Sequence, residues 1–435
     1  MLKQKTEYRG GDIKGSETIT VIDVGTTKVC TVIGKSDSEG NVSVIGHSVV
    51  PCSGLKKGNV TDVLATTNAV KQSVEQIRKS TGYSVESACV GVTGSHVAFR
   101  NTKTKVELNG DQGPITAGDL NQDAPSEILP ESEHNLIHAI RMSYSVDGQD
   151  GIRNPTGMHS RDLEVETHIV TGGAKFIGKL VQAVEAAGVR VKSLVFEPLA
   201  SALAVLDDKE KEDGAILVDI GGGTTDVVVF ANGQVRYSGV IPVGGHQFTN
   251  DIAMTFNTTL EAAESAKVNY ASAEVMPSSL EQEVCFPVKG RDLDLKVKQI
   301  EVIQLTRERA LELARLVMLK IDELKDSGTP ISHMVLTGGA SSLSGLTEMM
   351  QRKLSFTVRQ GMPSVNGRIP EDLRGPSYST AMGMLVWAIN EYALGAAGEF
   401  SREYVATPQF SGGMLSNLFH KLIKFGSVGL LTERR

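Results

Sequence analysis

The sequence of 435 residues has few cysteines, few aromatic side chains and no excess of positive charge. Its four cysteines form no C-x-x-C pair, which argues against a structural zinc site and against a thioredoxin-type redox motif. The formal net charge of -7 argues against a nucleic-acid partner, because proteins that bind nucleic acid usually carry a basic surface. With 40% hydrophobic and 22% charged residues, the composition is that of an ordinary globular protein in a reducing compartment.

Long hydrophobic runs are also missing from the sequence. A transmembrane helix needs roughly 20 mostly apolar residues, and no apolar run approaches this length. The N-terminus lacks the apolar segment of a secretory signal, and residues 1–16 are polar and contain glycines. We therefore expect a flexible N-terminal arm, a cytoplasmic location and, for this length, roughly two to four domains.

What the sequence does contain is a glycine-rich turn between two β-branched runs, in residues 215–230, AILVDIGGGTTDVVVF. This pattern predicts a β-hairpin, and three successive glycines let backbone N–H groups approach the oxygen atoms of a ligand. The threonines add hydroxyl donors, and Asp219 stands at the end of the first run, where a carboxylate can face Mg²⁺. The stretch indicates a phosphate-binding loop, although an ordinary glycine-rich hairpin explains one isolated copy equally well.

A second copy of this unit occurs near the N-terminus, in residues 18–35, TITVIDVGTTKVCTVIGK. When Asp23 is aligned with Asp219, VIDVG-TTKV matches LVDIGGGTTDV with a gap of two glycines. A repeat over such a distance predicts two related halves. If the halves face each other, their two loops would hold one polyphosphate from both sides, and an ordinary hairpin becomes a much weaker explanation.

Strand-like runs followed by helical spacing occur in both halves of the chain, which predicts two mixed α/β domains. A further Gly-Gly turn follows a strand-like run in residues 333–345, HMVLTGGASSLSG, and precedes a helix start. Such a turn readily approaches a phosphate or the sugar of a nucleotide. The main helices predicted from apolar spacing cover residues 65–78, 175–187, 199–206, 260–270, 301–324 and 379–387.

In their order and spacing, these pieces resemble the actin/Hsp70/sugar-kinase ATPase superfamily. Its two phosphate loops look like residues 23–28 and 219–225, and its adenosine loop looks like residues 337–340. Within the superfamily the sequence resembles the FtsA family of actin-like bacterial cell-division proteins over roughly residues 18–390. The stretches that carry this resemblance are VDGQDGIRNPTGM, FEPLASALAVL, LVDIGGGTTDVVVF, IPVGGHQFTNDIA and HMVLTGGASSLSGL.

The resemblance implies an α/β fold of the two-lobed actin-like ATPase type, in which an FtsA-type 1C insert takes the place of actin subdomain 1B. The implied subdomains are 1A in residues 17–88, 167–197 and 377–394, 1C in residues 89–166, 2A in residues 198–250 and 326–376, and 2B in residues 251–325.

The resemblance also implies ATP and Mg²⁺ as cofactors in the cleft between the lobes. Asp23 and Asp219 would face the metal and its waters. Glu197 would orient an attacking water, which makes Glu197 and Asp219 the candidate catalytic residues, although a carboxylate at a helix start has an equally good structural explanation. The residues implied to contact phosphates, then ribose, then adenosine are Gly25, Thr26, Thr27, Lys28, Gly221, Gly222, Gly223, Thr224 and Thr225; Glu264 and Lys267; and Gly338, Gly339 and Ala340.

The C-terminal part of the chain predicts a membrane anchor. Residues 395–413 are polar with glycine and proline and suggest a linker, and residues 414–425, MLSNLFHKLIKF, form an amphipathic pattern. A helix of this length measures about 18 Å at ~1.5 Å per residue, too short to span a bilayer, so it would lie on an anionic membrane surface. Docking on its own domain is the alternative. The implied membrane contacts are the apolar face Met414, Leu415, Leu418, Phe419, Leu422 and Ile423, with Lys421 and Lys424 on the polar face.

The family resemblance implies a scaffold on the cytoplasmic face of the cell membrane at the division site. It would bind ATP with at most slow hydrolysis, assemble with itself into actin-like filaments, hold the C-terminal peptide of the tubulin-like protein FtsZ, and recruit other division proteins through the 1C insert. Arg307 aligns with a family arginine implicated in FtsZ binding, although a solvated helix face explains it equally well. The alternatives are a PilM-like pilus assembly platform, a soluble phosphotransferase of the same superfamily and an Hsp70-type chaperone.

Overall fold

The strands predicted around the glycine turns form, and they assemble into two large sheets. The computed structural model describes residues 18–37, 41–108, 113–120, 133–275, 281–291, 293–322, 329–354 and 356–397. In the first part of the chain the elements are β1 (Ile19–Val24), β2 (Lys28–Ser36), β3 (Val42–Pro51), β4 (Leu55–Lys56), β5 (Asn59–Val60), α1 (Val63–Thr81), β6 (Ser87–Val92), β7 (Val97–Lys105), α2 (Ala117–Leu120), β8 (His134–Val146), β9 (Gln149–Ile152), β10 (Leu163–Gly173), α3 (Ala174–Ala186) and β11 (Arg190–Phe196).

The second part begins at the end of β11. Its elements are α4 (Glu197–Val205), α5 (Asp208–Asp213), β12 (Ala215–Ile220), β13 (Thr225–Ala231), β14 (Gln234–Ile241), α6 (Gly245–Thr255), α7 (Leu260–Tyr270), β15 (Glu283–Pro287), β16 (Asp294–Lys298), α8 (Gln299–Asp322), β17 (His333–Thr337), α9 (Leu346–Lys353), β18 (Thr357–Gln360), β19 (Gly367–Arg368) and α10 (Ser379–Ala397). The helices predicted from apolar spacing are therefore present, with ends that differ by less than a turn over most of the chain.

Helix α1 shows how local sequence defines such an element. Asp62 precedes it, and its carboxylate accepts a hydrogen bond from the backbone N–H of Ala65 at 2.9 Å, which caps the helix start. Gly82 follows it in the left-handed conformation, with φ of 79°, and its N–H donates to the carbonyl of Arg78. Between these caps, Val70 and Ile77 lie two turns apart and are fully buried against the sheet.

The two large sheets have the same internal order, which confirms that the chain contains two related halves. The first lobe is the sheet β11-β6-β1-β2-β3-β19, and the second lobe is the sheet β14-β13-β12-β17-β18. In each lobe, a central hairpin (β1–β2 or β12–β13) is antiparallel, and its first strand pairs in parallel with the next strand of the sheet (β6 or β17). All residues of β12 and β13 are buried, as expected for strands covered on both faces.

Helices α4 and α10 connect the two lobes and pack directly on each other. A Cβ atom added to Gly383 of α10 would lie 1.7 Å from the carbonyl oxygen of Ala200 in α4. Glycine therefore allows the two helix backbones to touch at this crossing. Further along α10, Met384, Leu385 and Trp387 are buried in the core of the first lobe, so the crossing joins the cores that lie under both sheets.

Residues 251–325, expected as subdomain 2B, contain a small hydrophobic core of their own. Ile252 of α6 and Phe256 pack with Ala263 of α7 and with Phe286 of β15. The rings of Phe256 and Phe286 are stacked with centroids 4.8 Å apart. The hairpin β15–β16 covers this core, and helix α8 begins next to it.

A separate four-stranded sheet, β7-β10-β8-β9, forms the insert, which we define as residues 97–173. The insert begins and ends later than the range 89–166 expected from the sequence. Strand β6 belongs to the first lobe, where it pairs with β1 and β11, and β10 continues to Gly173. Likewise, β19 lies in the range expected for subdomain 2A but pairs with β3 of the first lobe. The division into named subdomains stays a prediction.

The insert also contacts the second lobe, along its edge strand β14. His168 of β10 is fully buried there, with Nδ1 2.6 Å from the side-chain oxygen of Asn101 and Nε2 2.9 Å from the hydroxyl of Ser238 in β14. The Asn101 amide nitrogen donates to the backbone carbonyl of Arg236 at 3.2 Å. The rings of Phe99 and Tyr237 meet edge to face. Phe99 and Asn101 belong to β7, the edge strand of the insert sheet, so the edge strands β7 and β14 of the two sheets cover each other.

The buried His168 gives this contact a pH dependence. Burial lowers the pKa of His168 to about 4. A histidine whose folded-state pKa is lowered contributes stability above its ordinary pKa of 6.5 and loses it as the pH falls towards 4. His168 should thus cost about 2 kcal/mol of unfolding free energy between pH 7 and pH 5.

We expect His168→Gln to flatten the acid side of the stability–pH curve, measured by urea unfolding at several pH values. His159→Gln, which removes an exposed histidine of the insert, is the control and should leave the curve unchanged. Parallel curves for the wild type and His168→Gln would show that His168 does not titrate with unfolding.

Candidate functional site

The turns of the two central hairpins have the same length and the same closing hydrogen bond. In the first hairpin the Gly25 N–H donates to the carbonyl of Lys28 at 2.9 Å, and in the second the Gly221 N–H donates to the carbonyl of Thr224 at 2.9 Å. The strand register places Asp23 opposite Cys30 and Asp219 opposite Asp226. The alignment with a gap of two glycines is therefore wrong. Both hairpins close with a four-residue turn, so GTTK in one corresponds to GGGT in the other.

The two turns face each other and touch across the cleft. A Cβ atom added to Gly222 would lie 2.7 Å from Cγ2 of Thr27, and one added to Gly223 would lie 2.3 Å from Oγ1 of Thr26. Glycines at these positions let the second turn approach the first one this closely. The predicted meeting of the two loops is thereby observed, with backbone N–H groups and hydroxyls on both sides.

Four buried carboxyl groups gather at the base of these turns. Asp23, Asp219, Asp226 and Glu197 are each less than 9% exposed. Burial raises the pKa of Asp23 to about 6, with Lys28 lowering the pKa and Asp219 raising it. Burial, followed by repulsion from the other three carboxylates, raises the pKa of Glu197 well above its usual range. The positive charge near the cluster is therefore too small to balance its four carboxyl groups.

Asp226 is a member of this cluster that the sequence did not reveal. Burial and then the nearby Asp219 raise the pKa of Asp226 well above its usual range. The Thr93 hydroxyl, at the end of β6, lies 3.0 and 2.9 Å from its two carboxylate oxygens. Asp226 could have been found from the sequence by giving the two hairpins turns of equal length, which places Asp226 opposite Asp219. Aligning identical residues led to a different pairing.

A third glycine turn, residues 338–340, which the resemblance assigned to adenosine, closes on the second hairpin. Gly338 has φ of 83°, and a Cβ atom there would lie 2.2 Å from Oδ1 of Asp219. The other oxygen of Asp219 accepts hydrogen bonds from Ser201 at 2.5 Å and from Thr380 at 3.2 Å. Burial raises the pKa of Asp219 against the effect of these bonds. Helices α4 and α10 therefore both reach this carboxylate.

The residues expected near ribose and adenosine lie beside the start of α6. The Lys267 ammonium donates to Glu264 at 2.7 Å, to the Thr249 hydroxyl at 3.0 Å and to the Gly245 carbonyl at 3.2 Å. A Cβ atom on Gly245 would lie 3.1 Å from that of Ala340, so this group borders the third turn.

The start of α6 is fixed to the second hairpin by its own backbone. The N–H groups of Gly245 and His246 donate to the carbonyls of Gly221 and Gly222, each at 2.8 Å. Burial opposes ionisation of Glu264, but hydrogen bonds from Lys267 and Thr249 lower its pKa overall. A charged Glu264–Lys267 pair therefore stands at this end of the cleft.

Two further residues singled out in the sequence are Lys28 and Arg307, whose side-chain contacts only the structure defines. The Lys28 ammonium donates to the carbonyl of Ser377 at 2.7 Å and lies 3.9 Å from the centre of the Tyr378 ring. Arg307 is exposed on α8, and no hydrogen bond or ion pair between described residues joins it to the cleft loops. The predicted membrane helix, residues 414–425, lies outside the described residues, as does the linker from residue 398 on. Residues 395–397, predicted as the start of the linker, instead belong to α10.

The carboxyl cluster suits a hydrated divalent cation. Among the described residues, the Asp23 carboxyl group has no hydrogen-bond partner, although it is buried at the cleft. No three His, Cys, Asp or Glu side chains of the described chain lie close enough together to hold a metal directly. Mg²⁺ commonly binds through one or two carboxylates and keeps several waters, so Asp23 and Asp219 fit this ion.

Comparison with known proteins places the chain in a family. The model of the family "Cell division protein FtsA" matches residues 216–383, and that of the "SHS2 domain inserted in FTSA" matches residues 94–171, which is close to the insert. The cell division protein FtsA of Pseudomonas aeruginosa is 30% identical over 409 residues, which cover 93% of this chain and 97% of that protein. The chain belongs to the FtsA family. FtsA of Neisseria meningitidis is 31% identical over 84% of the chain and 89% of its own length.

Solved structures similar to this FtsA-family chain confirm the actin-like fold. The PilM–PilN type IV pilus biogenesis complex matches with a TM-score of 0.61 and 17% identity, covering 85% of this chain and 98% of that one. MreB5 of Spiroplasma citri bound to ADP matches with a TM-score of 0.51 and 14% identity, covering 88% and 98%. At these identities the likeness shows the fold alone, so the PilM-like alternative is not favoured over FtsA. No helix in the described ranges is long and apolar enough to cross a membrane.

Proposed function

We propose that this FtsA-family chain binds ATP with Mg²⁺ between its two lobes and links division filaments to the cytoplasmic membrane. The observation that carries the nucleotide part is the contact of the two hairpin turns, which brings their backbone N–H groups and threonine hydroxyls together above buried carboxylates. Such turns can hold a polyphosphate from both sides. The ADP-bound MreB5 with the same fold supports this assignment.

Asp23 and Asp219 would hold the cation through its waters. The cation would supply the positive charge that the cluster lacks and would stabilise charge on the phosphates. Burial, and then the neighbouring carboxylates, raise the pKa of Glu197 in the nucleotide-free protein. A cation beside it would lower its pKa, so that the carboxylate could orient a water near the terminal phosphate. We expect slow hydrolysis of ATP at most.

The remaining part of the proposal concerns location and partners. The chain would assemble with itself into actin-like filaments at the division site, and residues 414–425 would bind an anionic membrane surface. Residues 251–325 would hold the C-terminal peptide of FtsZ, and the insert would contact later division proteins. Family membership over 93% of the chain supports these assignments together. The first test is sedimentation of FtsZ with anionic liposomes, which should depend on this protein and on ATP with Mg²⁺.

If residues 414–425 bind the membrane as proposed, two substitutions on their predicted apolar face should strongly reduce membrane binding. Replacing Leu418 and Phe419 by Glu removes two side chains that each contribute about 1.5–3 kcal/mol on burial. Membrane partitioning should then fall roughly a hundredfold or more, as measured by sedimentation with anionic vesicles. The control variant carries Ser416→Glu and Asn417→Glu, which add the same charge on the polar face. It should keep most of the membrane binding. Equal release of both variants would mean that charge alone, and not the apolar face, decides binding.

Arg307 gives a second test on the proposed partner surface. Because its side chain is exposed on α8, Arg307→Glu should leave folding intact. We expect about tenfold weaker binding of a fluorescent FtsZ C-terminal peptide, from loss of charge complementarity. Arg315→Glu, an exposed arginine about two turns further along the same helix, is the matched control. If both variants bind the peptide as the wild type does, this face of α8 is not the docking site.

A further inference from the structure

A buried histidine of the insert is bonded to the backbone just before Glu197. His138 lies in β8 and is 1% exposed. The N–H of Phe196, the last residue of β11, donates to Nε2 of His138 at 2.9 Å. Phe196 is the residue before the first turn of α4, which begins with Glu197. The insert therefore holds the backbone from which the Glu197 side chain enters the cleft.

The bond defines the state of the His138 ring. Since Nε2 accepts a hydrogen bond, the proton of the neutral ring is on Nδ1. The Nδ1 atom is buried and has no partner in the described part of the chain. A buried donor without a partner carries a cost in stability, so an apolar side chain would serve better if only packing mattered at this position. Histidine is needed at this position because its Nε2 atom accepts the hydrogen bond from the Phe196 N–H.

The same ring contacts helix α10, which also reaches the cleft. The centroids of His138 and Trp387 are 5.4 Å apart. Trp387 lies on α10 about two turns after Thr380, which donates to Asp219, so both residues lie on one face of the helix. Gly383, between them, touches α4 at Ala200. His138 thus lies where β8 of the insert meets α10 and the residue that leads into α4.

We propose that His138 is a positioning residue through which the insert fixes the place of Glu197 in the cleft. The functional consequence rests on the proposed binding of nucleotide between the lobes. A displacement of the insert, for example by a protein bound to it, would move β8 and with it the Phe196 N–H and the start of α4. In the reverse direction, nucleotide at the cleft would move the start of α4 and, through the Phe196 N–H, the His138 ring, and the contact of this ring with Trp387 would report the movement.

Three measurements on the full chain test this proposal. The variants are His138→Leu, which has no acceptor, and His138→Gln, whose side-chain oxygen can replace Nε2. Hydrogen exchange of the Phe196 and Glu197 amides in nucleotide-free protein should be roughly tenfold faster in His138→Leu and near wild type in His138→Gln. Exchange in β17 is the internal control. If His138→Leu does not fold, His138→Asn, whose shorter side chain does not reach the Phe196 N–H, takes its place.

The chain contains a single tryptophan, so its fluorescence reports on this junction directly. We expect MgADP to change the Trp387 emission in the wild type and in His138→Gln, and this change to be largely lost in His138→Leu. A fluorescent nucleotide should bind all three with similar affinity, because the hydrogen bond and the ring contact of His138 within the described ranges go to Phe196 and Trp387 and not to the glycine turns. Unchanged exchange and emission in His138→Leu, or equal defects in both variants, would overturn the proposal. Failure of the wild type to bind nucleotide would instead refute the proposed function, and amide exchange would then decide the role of His138.

Discussion

Gly383→Ala should destabilise the protein by about 3 kcal/mol or more, although alanine normally favours a helix by about 1 kcal/mol over glycine. The new Cβ atom would lie 1.7 Å from the carbonyl oxygen and 2.3 Å from the carbonyl carbon of Ala200. These are backbone atoms of α4, so no side-chain rotation can relieve the overlap. Helices α4 and α10 would have to move apart, and with them the two lobes that they join.

Chemical unfolding of the full chain with urea measures this effect. Gly375→Ala is the matched control, because φ of -74° suits alanine and nothing lies within 4 Å of its Cβ position. This control should be neutral or slightly stabilising. A Gly383→Ala variant as stable as Gly375→Ala would contradict the direct backbone contact between the helices.

Asp23→Asn should make the nucleotide-free protein more stable and at the same time impair binding of ATP with Mg²⁺. The carboxylate is buried and has no hydrogen-bond partner among the described residues. A neutral amide therefore removes the cost of burying this charge and, to a lesser extent, its repulsion by Asp219. At pH 7 the unfolding free energy should rise by about 1–2 kcal/mol. Affinity for ATP in Mg²⁺ should fall roughly 10- to 100-fold, while affinity in EDTA changes little.

The gain in unfolding free energy from Asp23→Asn should depend on pH in a definite direction. The pKa of Asp23 is raised to about 6 in the folded state, so the wild type loses stability as the pH rises through 6 and recovers it below about 4. The advantage of Asp23→Asn is therefore largest above pH 6 and shrinks towards pH 4. Asp294→Asn, on the exposed face of β16, is the control for removal of one charge. Lower stability of Asp23→Asn at pH 7 would contradict the unfavourable burial of this charge.

The sequence was informative where short-range chemistry decides the structure. The three glycine turns, their flanking strands and the carboxylates at strand ends follow from local composition. The approach of Gly338 to Asp219 was not expected from the sequence. The equal length of the two turns did not follow, because letter matching favoured the Thr-Thr pairs over the backbone register. Asp226 was missed for that reason.

Contacts between distant parts of the chain were beyond sequence reasoning. His168 meets Ser238 and His138 meets Phe196 only because the insert packs on both lobes, and neither pair has a local signal. Gly383 looked like one small residue of a buried helix. Its need for glycine depends on the position of Ala200 in another helix, which only the packed structure defines.

The central claim is that the two facing turns bind one ATP with Mg²⁺ between them. The most direct measurement is a calorimetric titration of the full-length protein with ATP, in Mg²⁺ and in EDTA. We expect saturable binding of one ATP per chain that is tightened by Mg²⁺. No saturable binding at millimolar ATP, or binding that Mg²⁺ leaves unchanged, would contradict it.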